Sequence, residues 1–170
     1  MKIKNVEIKA KTNNPDFISN RLVELKARYI GCDEQIDTYF NINHGRLKLR
    51  QGHIENSLIH YNRADKDKAK LSDISFSKIQ NGSDILDVLK SALGIKVIVK
   101  KKRHIYFIDH VKFHIDHLDG LGSFVEIEVI DLKNEYSEIE MRSLCELYMK
   151  ELKVESSDLL THSYSDMLGI

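Results

Sequence analysis

The stretch FHIDHLDGLGSFVEIEVI, residues 113–130, decides the fold. Read at period two, Phe113 and Ile115 go to one side of a strand, and His114 and Asp116 to the other. Beyond a turn at Asp119-Gly120, Val125, Ile127 and Val129 oppose Glu126 and Glu128. Two strands joined in this way form an antiparallel hairpin with one apolar and one ionic face. The apolar face needs a cover, and the ionic face must meet either water or an enclosed polar lumen.

The same division recurs along the chain. In NVEIKAK, residues 5–11, Val6, Ile8 and Ala10 oppose Asn5, Glu7, Lys9 and Lys11. In GRLKLRQ, residues 45–51, Arg46, Lys48 and Arg50 oppose Leu47 and Leu49, and in VKKKRHIYF, residues 99–107, Lys101 and Arg103 share a face. An edge strand in water also wears charge to discourage aggregation, so the pattern alone leaves an open half-solvated sheet and a closed barrel both standing. The segregation of sign is more informative: some strands offer mainly cations, the last offers carboxylates, and the first offers both. Mg²⁺ or Mn²⁺ takes hard oxygen ligands from one or two carboxylates plus substrate phosphates, and phosphate oxygens take Arg and Lys donors, so this mixture suits a polyphosphate bound with a divalent metal.

Counting the first strand, nine segments read as strands. The others are Ile36 to Ile42, Arg46 to Gln51, Ser57 to Arg63, Lys70 to Lys78, Lys96 to Lys101, His104 to Ile108, Val111 to Leu118 and Ser123 to Ile130. His44-Gly45 and Asp109-His110 supply further hairpin turns. Helices are expected after Asn14, with Pro15 in the first turn, from a Ser83 cap to Gly94, and over 136–152, with a short turn near Ser156 to Leu160. Short strands joined by hairpins, with few helices, predict an α+β fold: an antiparallel β tunnel of about eight strands, closed or nearly closed, flanked by α-helices.

Composition narrows the partners. The 170 residues suit one domain, residues 1–170, and 26 Lys plus Arg balance 26 Asp plus Glu, so no overall field attracts duplex nucleic acid or anionic lipid. The amino terminus lacks the apolar run of a signal peptide, and no stretch approaches the roughly 18 apolar residues of a membrane span, so a cytoplasmic protein is expected. Cys32 and Cys145 stand far apart and read as reduced structural thiols. His114 and His117 face opposite sides of their strand and do not share a zinc ion; His114 lines the same face as Asp116, and His117 reads as structural. The tail from Tyr164 to Leu168 reads as a short packed helix, with a cap on the tunnel as the alternative.

These motifs together resemble the CYTH superfamily of triphosphate tunnel metalloenzymes, and within it the class IV adenylate cyclases and their relatives. The carriers are VEIKAK, DTYFNINHGRLKLRQ, KKKRHIYF, FHIDHLDGLGSFVEIEVI and the terminal SYSDML, which span nearly the whole chain. The resemblance implies a triphosphate held with Mg²⁺ or Mn²⁺ inside an antiparallel tunnel. It implies Glu7, Asp116, Glu126 and Glu128 as metal-binding carboxylates and Lys9, Lys11, Lys48, Arg50, Arg63, Lys101 and Arg103 as phosphate-binding cations, with Arg46 less secure. Glu7, Lys9 and Lys101 are the catalytic candidates. One position departs from the family pattern: its Glu-x-Glu-x-Lys signature reads here Asn5-x-Glu7-x-Lys9, and a glutamate that precedes the KKR stretch in some cyclases is Lys100. An amide ligates a metal through its carbonyl oxygen but contributes no charge. The implied activity is conversion of ATP to cyclic AMP and pyrophosphate. Hydrolysis of an inorganic or organic triphosphate, or capture of a triphosphate without turnover, are the alternatives, and a homodimer is compatible with any of them.

Overall fold

Eight strands close into one antiparallel barrel in the order β1-β5-β4-β3-β2-β6-β7-β8, with β8 returning to β1. The computed structural model describes residues 2–63, 69–80 and 83–168; the side chains of Lys2, Arg63, Ala69 and Lys70 lie outside that description. The strands are β1 (Lys2–Thr12), β2 (Arg28–Phe40), β3 (Arg46–Gln51), β4 (Ser57–Arg63), β5 (Ala69–Lys78), β6 (Ile95–Ile108), β7 (Val111–Leu118) and β8 (Gly122–Asp131). Two meanders, β2 to β5 and β6 to β8, meet along the β2–β6 seam, and β1 closes the ring between β5 and β8. This is the α+β tunnel expected from the alternation.

Two boundaries differ from the sequence reading. The segments Lys96 to Lys101 and His104 to Ile108 form a single strand, β6, because nothing between them carries turn chemistry, and so nine expected strands become eight. Strand β2 starts at Arg28 rather than Ile36 and ends at Phe40, passing through a register shift between Tyr29 and Gly31.

Helices α1 (Pro15–Glu24) and α3 (Glu138–Glu151) cover the outer faces of β1, β7 and β8. Asn14 accepts from the Phe17 amide to start α1, and Ser137 with Glu140 forms a capping box at α3. Ile18, Leu22, Met141 and Leu152 pack on Val6, Ile8, Phe113, Val125, Ile127 and Val129, all nearly inaccessible to solvent. Each such aliphatic or aromatic side chain contributes about 1.5–3 kcal/mol on burial. Cys145 joins this layer, its thiol pushed up to about 12 by burial, whereas Cys32 is exposed on β2. Helix α2 (Ser83–Leu93) lies near β2 with no fully buried residue. A 3₁₀ turn (Ser156–Asp158) and the short helix α4 (Tyr164–Met167) complete the described chain. Among the described residues, no helix is long and apolar enough to cross a membrane.

Because the helices take the apolar faces, the alternate residues turn inward. A second apolar cluster of Tyr39, Val97, Val99, Leu118, Phe124 and Tyr164 packs at one end of that interior.

Candidate functional site

The inward faces enclose a cavity of about 880 Å³ lined by Glu7, Lys9, Lys48, Arg50, Lys101, Arg103, His114, Glu126 and Glu128, among others. The ionic side of every strand singled out above therefore contributes to one lumen. In the ring of eight, β2 and β3 stand across from β1 and β8, so the cation-rich wall faces the carboxylate-bearing one.

The cation wall is organised by Asp37 of β2. Its carboxylate accepts from Lys48 Nζ at 3.0 Å, from Lys101 Nζ at 2.9 Å, and from Arg50 through Nε at 2.8 Å and a terminal nitrogen at 2.9 Å. Buried among these three cations, Asp37 is held well below the usual carboxylate range, by Arg50 first and then Lys101 and Lys48 acting against burial. The Arg50 guanidinium is raised in turn by Asp37 despite its own burial. Lys101 goes the other way: burial, reinforced by Arg103, Arg50 and Lys48, outweighs Asp37 and brings its ammonium down to about 7.

The carboxylate wall is tied to Arg103. That guanidinium donates to both oxygens of Asp116, at 2.6 Å from Nε, and to Glu126 at 2.7 Å. Glu126 also accepts from Lys9 at 3.0 Å and meets His114 Nδ1 at 2.9 Å. Burial opposes the charge on Asp116 and Glu126, but Arg103 keeps both below their ordinary values. His114 is pushed down to about 3 by burial and by Arg103 and Lys112, so it is a neutral imidazole whose Nδ1–H donates to Glu126.

Glu128 is different. Burial first, then Glu7 and Glu126, raise its carboxyl, and Asn5 donates an amide hydrogen to it at 2.6 Å.

Other expected residues are placed less centrally. Lys11 continues the inner face of β1 but is exposed and does not line the cavity, because it lies near the end of the strand. Asp116 does not line the cavity either; Arg103 engages both of its oxygens and the Tyr164 hydroxyl donates to it at 2.8 Å. Arg46 pairs with Asp166 of α4 at 3.1 Å. Arg63 ends β4, and its side chain falls outside the described residues. His117 is exposed, beside Ser123 and Asp119.

Several lining or bracing groups were not anticipated. Asp33, Gln35, Asp37 and Tyr39 alternate along β2; starting the strand at Ile36 cut Asp33 and Gln35 from that period-two run, and Asp37 and Tyr39, although inside the expected strand, were not read as site residues. Asp33 receives the backbone N–H groups of His53, Ile54 and Glu55 and so shapes the β3–β4 loop. A Cβ at Gly52 would sit 2.5 Å from the Asp33 carboxylate, which explains the glycine. The loop presents Glu55 to Arg50 at 3.0 Å, to Gln35 at 2.9 Å and to Lys112. Tyr164 arrives from α4, with Lys9 Nζ 3.3 Å above its ring centroid.

A divalent cation can be tested against this donor set. Among the described residues, no three His, Cys, Asp or Glu side chains converge as a ready-made cage. Two buried polar atoms of cavity-lining residues nevertheless have no hydrogen-bond partner: Asn5 Oδ1 and His114 Nε2. They neighbour Glu128 and Glu126, to which the same two side chains are bonded. Hard oxygens plus an unpaired amide carbonyl fit Mg²⁺ or Mn²⁺ completed by substrate phosphates rather than held by protein alone.

Comparison with known proteins agrees with this fold. The chain is 27% identical over 179 residues to a Methanocaldococcus jannaschii protein named "Putative adenylate cyclase", covering 97% of this chain and 98% of that one. The solved structure of the PH1012 protein from Pyrococcus horikoshii superposes with a TM-score of 0.83 at 22% identity, covering 95% of this chain and 98% of that one. A Hippeastrum adenylyl cyclase homologue, whose structural report describes a dominant triphosphatase activity, superposes with a TM-score of 0.60 at 13% identity over 98% of this chain and 93% of its own. A CYTH domain is matched over residues 4–164. With the ionic tunnel and a match across nearly its whole length, this chain belongs to the CYTH domain family.

Proposed function

We propose that the protein is a metal-dependent enzyme acting on a triphosphate bound in the barrel, in the manner of a class IV adenylate cyclase that converts ATP to cyclic AMP and pyrophosphate. The observation that carries this reading is the convergence of the cavity-lining Lys48, Arg50 and Lys101 on one buried carboxylate, Asp37, behind the wall that faces Glu7, Glu126 and Glu128. Buried ion pairs contribute little net stability, and strongly displaced pKa values concentrate at working sites.

A triphosphate entering the lumen replaces Asp37 as counter-charge for the three cations, with Lys9 serving the same role beside Glu126. These donors are fixed before substrate arrives, so they stabilise charge moving onto pyrophosphate with little reorganisation. In the cyclase reaction the ribose 3′-oxygen bonds to the α-phosphorus. The bond from that phosphorus to the α–β bridging oxygen breaks, pyrophosphate leaves with the electron pair, and the hydroxyl proton passes to a carboxylate, for which Glu7 is the candidate. Mg²⁺ or Mn²⁺ held by Glu126, Glu128 and the Asn5 carbonyl would add positive charge at the phosphate oxygens.

A second reading has its own support. Asn5 removes one carboxylate from the signature, which weakens metal binding beside Glu128 and favours the simpler chemistry in which water attacks the terminal phosphorus and orthophosphate leaves. The Hippeastrum neighbour with its triphosphatase activity fits that alternative.

The test incubates purified protein with ATP, inorganic tripolyphosphate and thiamine triphosphate, each with Mg²⁺ and with Mn²⁺, and identifies products. Cyclic AMP with pyrophosphate supports the first chemistry, orthophosphate the second, and binding without products a capture module. Activity untouched by both Arg50→Ala and Glu126→Gln removes the tunnel assignment.

A further inference from the structure

The loop between β3 and β4 is built to deliver one side chain. Asp33 shares the inward side of β2 with Gln35 and Asp37 and is fully buried, because residues 52–56 are laid across it. Its carboxylate accepts from the backbone N–H groups of His53, Ile54 and Glu55 at 2.6, 2.9 and 3.0 Å. Asn56 closes the same loop by bonding the Gly52 backbone through both ends of its amide, at 3.1 and 2.6 Å. A backbone held at this many points stays in place while its exposed side chains rotate.

What the loop delivers to the cavity is the Glu55 carboxylate, and donors from three strands converge on it. Oε2 accepts from Arg50 of β3 at 3.0 Å and from Gln35 of β2 at 2.9 Å, and Oε1 accepts from Lys112 of β7. A guanidinium, an amide N–H and an ammonium aimed at one anion are also the donors that a phosphate group takes. Among the described residues, Lys112 has no other ion-pair partner. Arg50 is shared between Asp37 and Glu55, so a phosphate that takes over Arg50 meets both carboxylates. The two differ in their freedom to leave. The Asp37 side chain is 1% exposed, whereas that of Glu55 is 21% exposed and one methylene longer, so a change of rotamer carries it toward solvent.

We propose that Gln35, Arg50 and Lys112 form an anion subsite for one phosphate group, that Glu55 fills it in the ligand-free protein, and that a bound triphosphate turns Glu55 out toward solvent. This inference rests on the triphosphate reading of the same lumen. It adds Lys112 and Gln35 to the phosphate donors and makes Glu55 an internal competitor of the ligand. Because the chain occupies its own subsite, triphosphate affinity is reduced by the fraction of molecules in which Glu55 is in place. In return, Arg50 and Lys112 are never left buried without a counter-charge.

Calorimetry with Mg²⁺ measures tripolyphosphate affinity for wild type, Glu55→Gln, Glu55→Ala and the double variant Glu55→Gln/Lys112→Gln, with folding of each checked by circular dichroism. Removing the internal anion should raise affinity at least about fivefold in both single variants, whereas damage to a merely structural contact would lower it. Adding Lys112→Gln to Glu55→Gln should then lower affinity at least about fivefold, because a charge-assisted contact to phosphate is lost. Amide exchange at residues 53–55 should stay slow when tripolyphosphate binds to wild type, since only the side chain moves. Unchanged or weaker binding in the folded Glu55 variants overturns the competition, and unchanged or tighter binding on loss of Lys112 overturns the subsite. Faster exchange at residues 53–55 overturns the side-chain movement. Each of these leaves the tunnel reading in place. No saturable binding of tripolyphosphate by any of the four proteins overturns the tunnel reading itself, and the inference with it.

Discussion

Asn5 donates its side-chain amide to Glu128 at 2.6 Å while its carbonyl oxygen, buried in the cavity wall, has no hydrogen-bond partner. The amide that replaces the first carboxylate of the family signature therefore steadies a carboxyl that burial, Glu7 and Glu126 all disfavour as an anion. Replacing Asn5 with Glu reverses that contribution. In metal-free buffer at neutral pH the Asn5→Glu protein should lose about 1–3 kcal/mol. It should recover more than wild type on adding Mg²⁺ or Mn²⁺, because a new carboxylate joins the ligand set. Asn5→Leu should show the initial loss with a smaller recovery. Thermal melts with and without metal check both; equal metal-induced shifts in all three proteins would remove Asn5 from the metal site.

Arg103 is the sole guanidinium that the described contacts place against both Asp116 and Glu126. Arg103→Ala leaves two buried carboxylates short of their main counter-charge and should cost about 3–5 kcal/mol at pH 7. Both acids have depressed folded pKa values, so the stability they contribute is present above their unfolded pKa and is lost as pH falls through the folded values. The penalty should shrink once the medium is acid enough to protonate the variant's unpaired carboxyls but not the wild type's. Urea unfolding at pH 7 and near pH 4 measures it; a penalty independent of pH contradicts the ion-pair account.

Asp37 supplies the counter-charge that phosphate is proposed to take over. Asp37→Asn frees Lys48, Arg50 and Lys101 from their anion and should destabilise the ligand-free protein by about 3–5 kcal/mol, by crowding buried cations. Tripolyphosphate should then raise the melting temperature of the variant by more than it raises that of wild type. Equal shifts would mean that phosphate does not compete with Asp37.

Lys101 carries a pH dependence of its own. With its ammonium brought down to about 7, it is increasingly neutral above that pH. Triphosphate affinity should fall as pH rises through about 7, by up to about tenfold per unit, and binding should take up a proton there. The effect on folding has the opposite sign. Between about 7 and its ordinary value the unfolded chain holds a proton that the folded chain does not, so this group's contribution to stability rises with pH across that window. Calorimetry in buffers of different ionisation enthalpy reads the proton uptake, and Lys101→Arg should abolish it.

The legibility of this molecule follows its physics. The inner faces of β1, β3, β6, β7 and β8 were readable because a strand in a barrel has only two sides, and the apolar side was marked by Val, Ile, Leu and Phe. The charge pattern by itself did not decide closure, since an edge strand in water wears the same charges; the run of hairpin-joined strands and the family resemblance predicted it, and the seam between β1 and β8 that completes it rests on contacts more than a hundred residues apart. Asp33 and Gln35 were missed because CDEQ, residues 32–35, resembles a polar loop when β2 is begun too late, and Asp37, inside the expected strand, was passed over because the shortened strand did not show the Asp33, Gln35, Asp37 alternation. Glu55 and Tyr164 carry no periodic signal at all. One reaches the site through a loop shaped by Asp33 and the other through a four-residue helix, and only the assembled barrel brings them to Lys112 and Asp116.

Tyr164 joins the carboxy-terminal helix to the ionic network, with its hydroxyl on Asp116 and its ring beneath Lys9. It also packs edge-on against Phe124 at 5.1 Å. Two substitutions separate these roles. Tyr164→Phe keeps the ring and removes the hydrogen bond, and because Asp116 retains Arg103 the loss should be about 1 kcal/mol. Tyr164→Ala removes the ring as well and should cost about 3–5 kcal/mol, the usual price of deleting a buried aromatic. The tail packs and caps at once, so the two variants should also differ in the lumen. Tyr164→Ala should weaken tripolyphosphate binding by loosening Lys9, and Tyr164→Phe should leave Lys9 seated on the ring. Urea unfolding and calorimetric titration of both variants measure this, and equal losses in the two would show that the hydroxyl alone holds the tail in place.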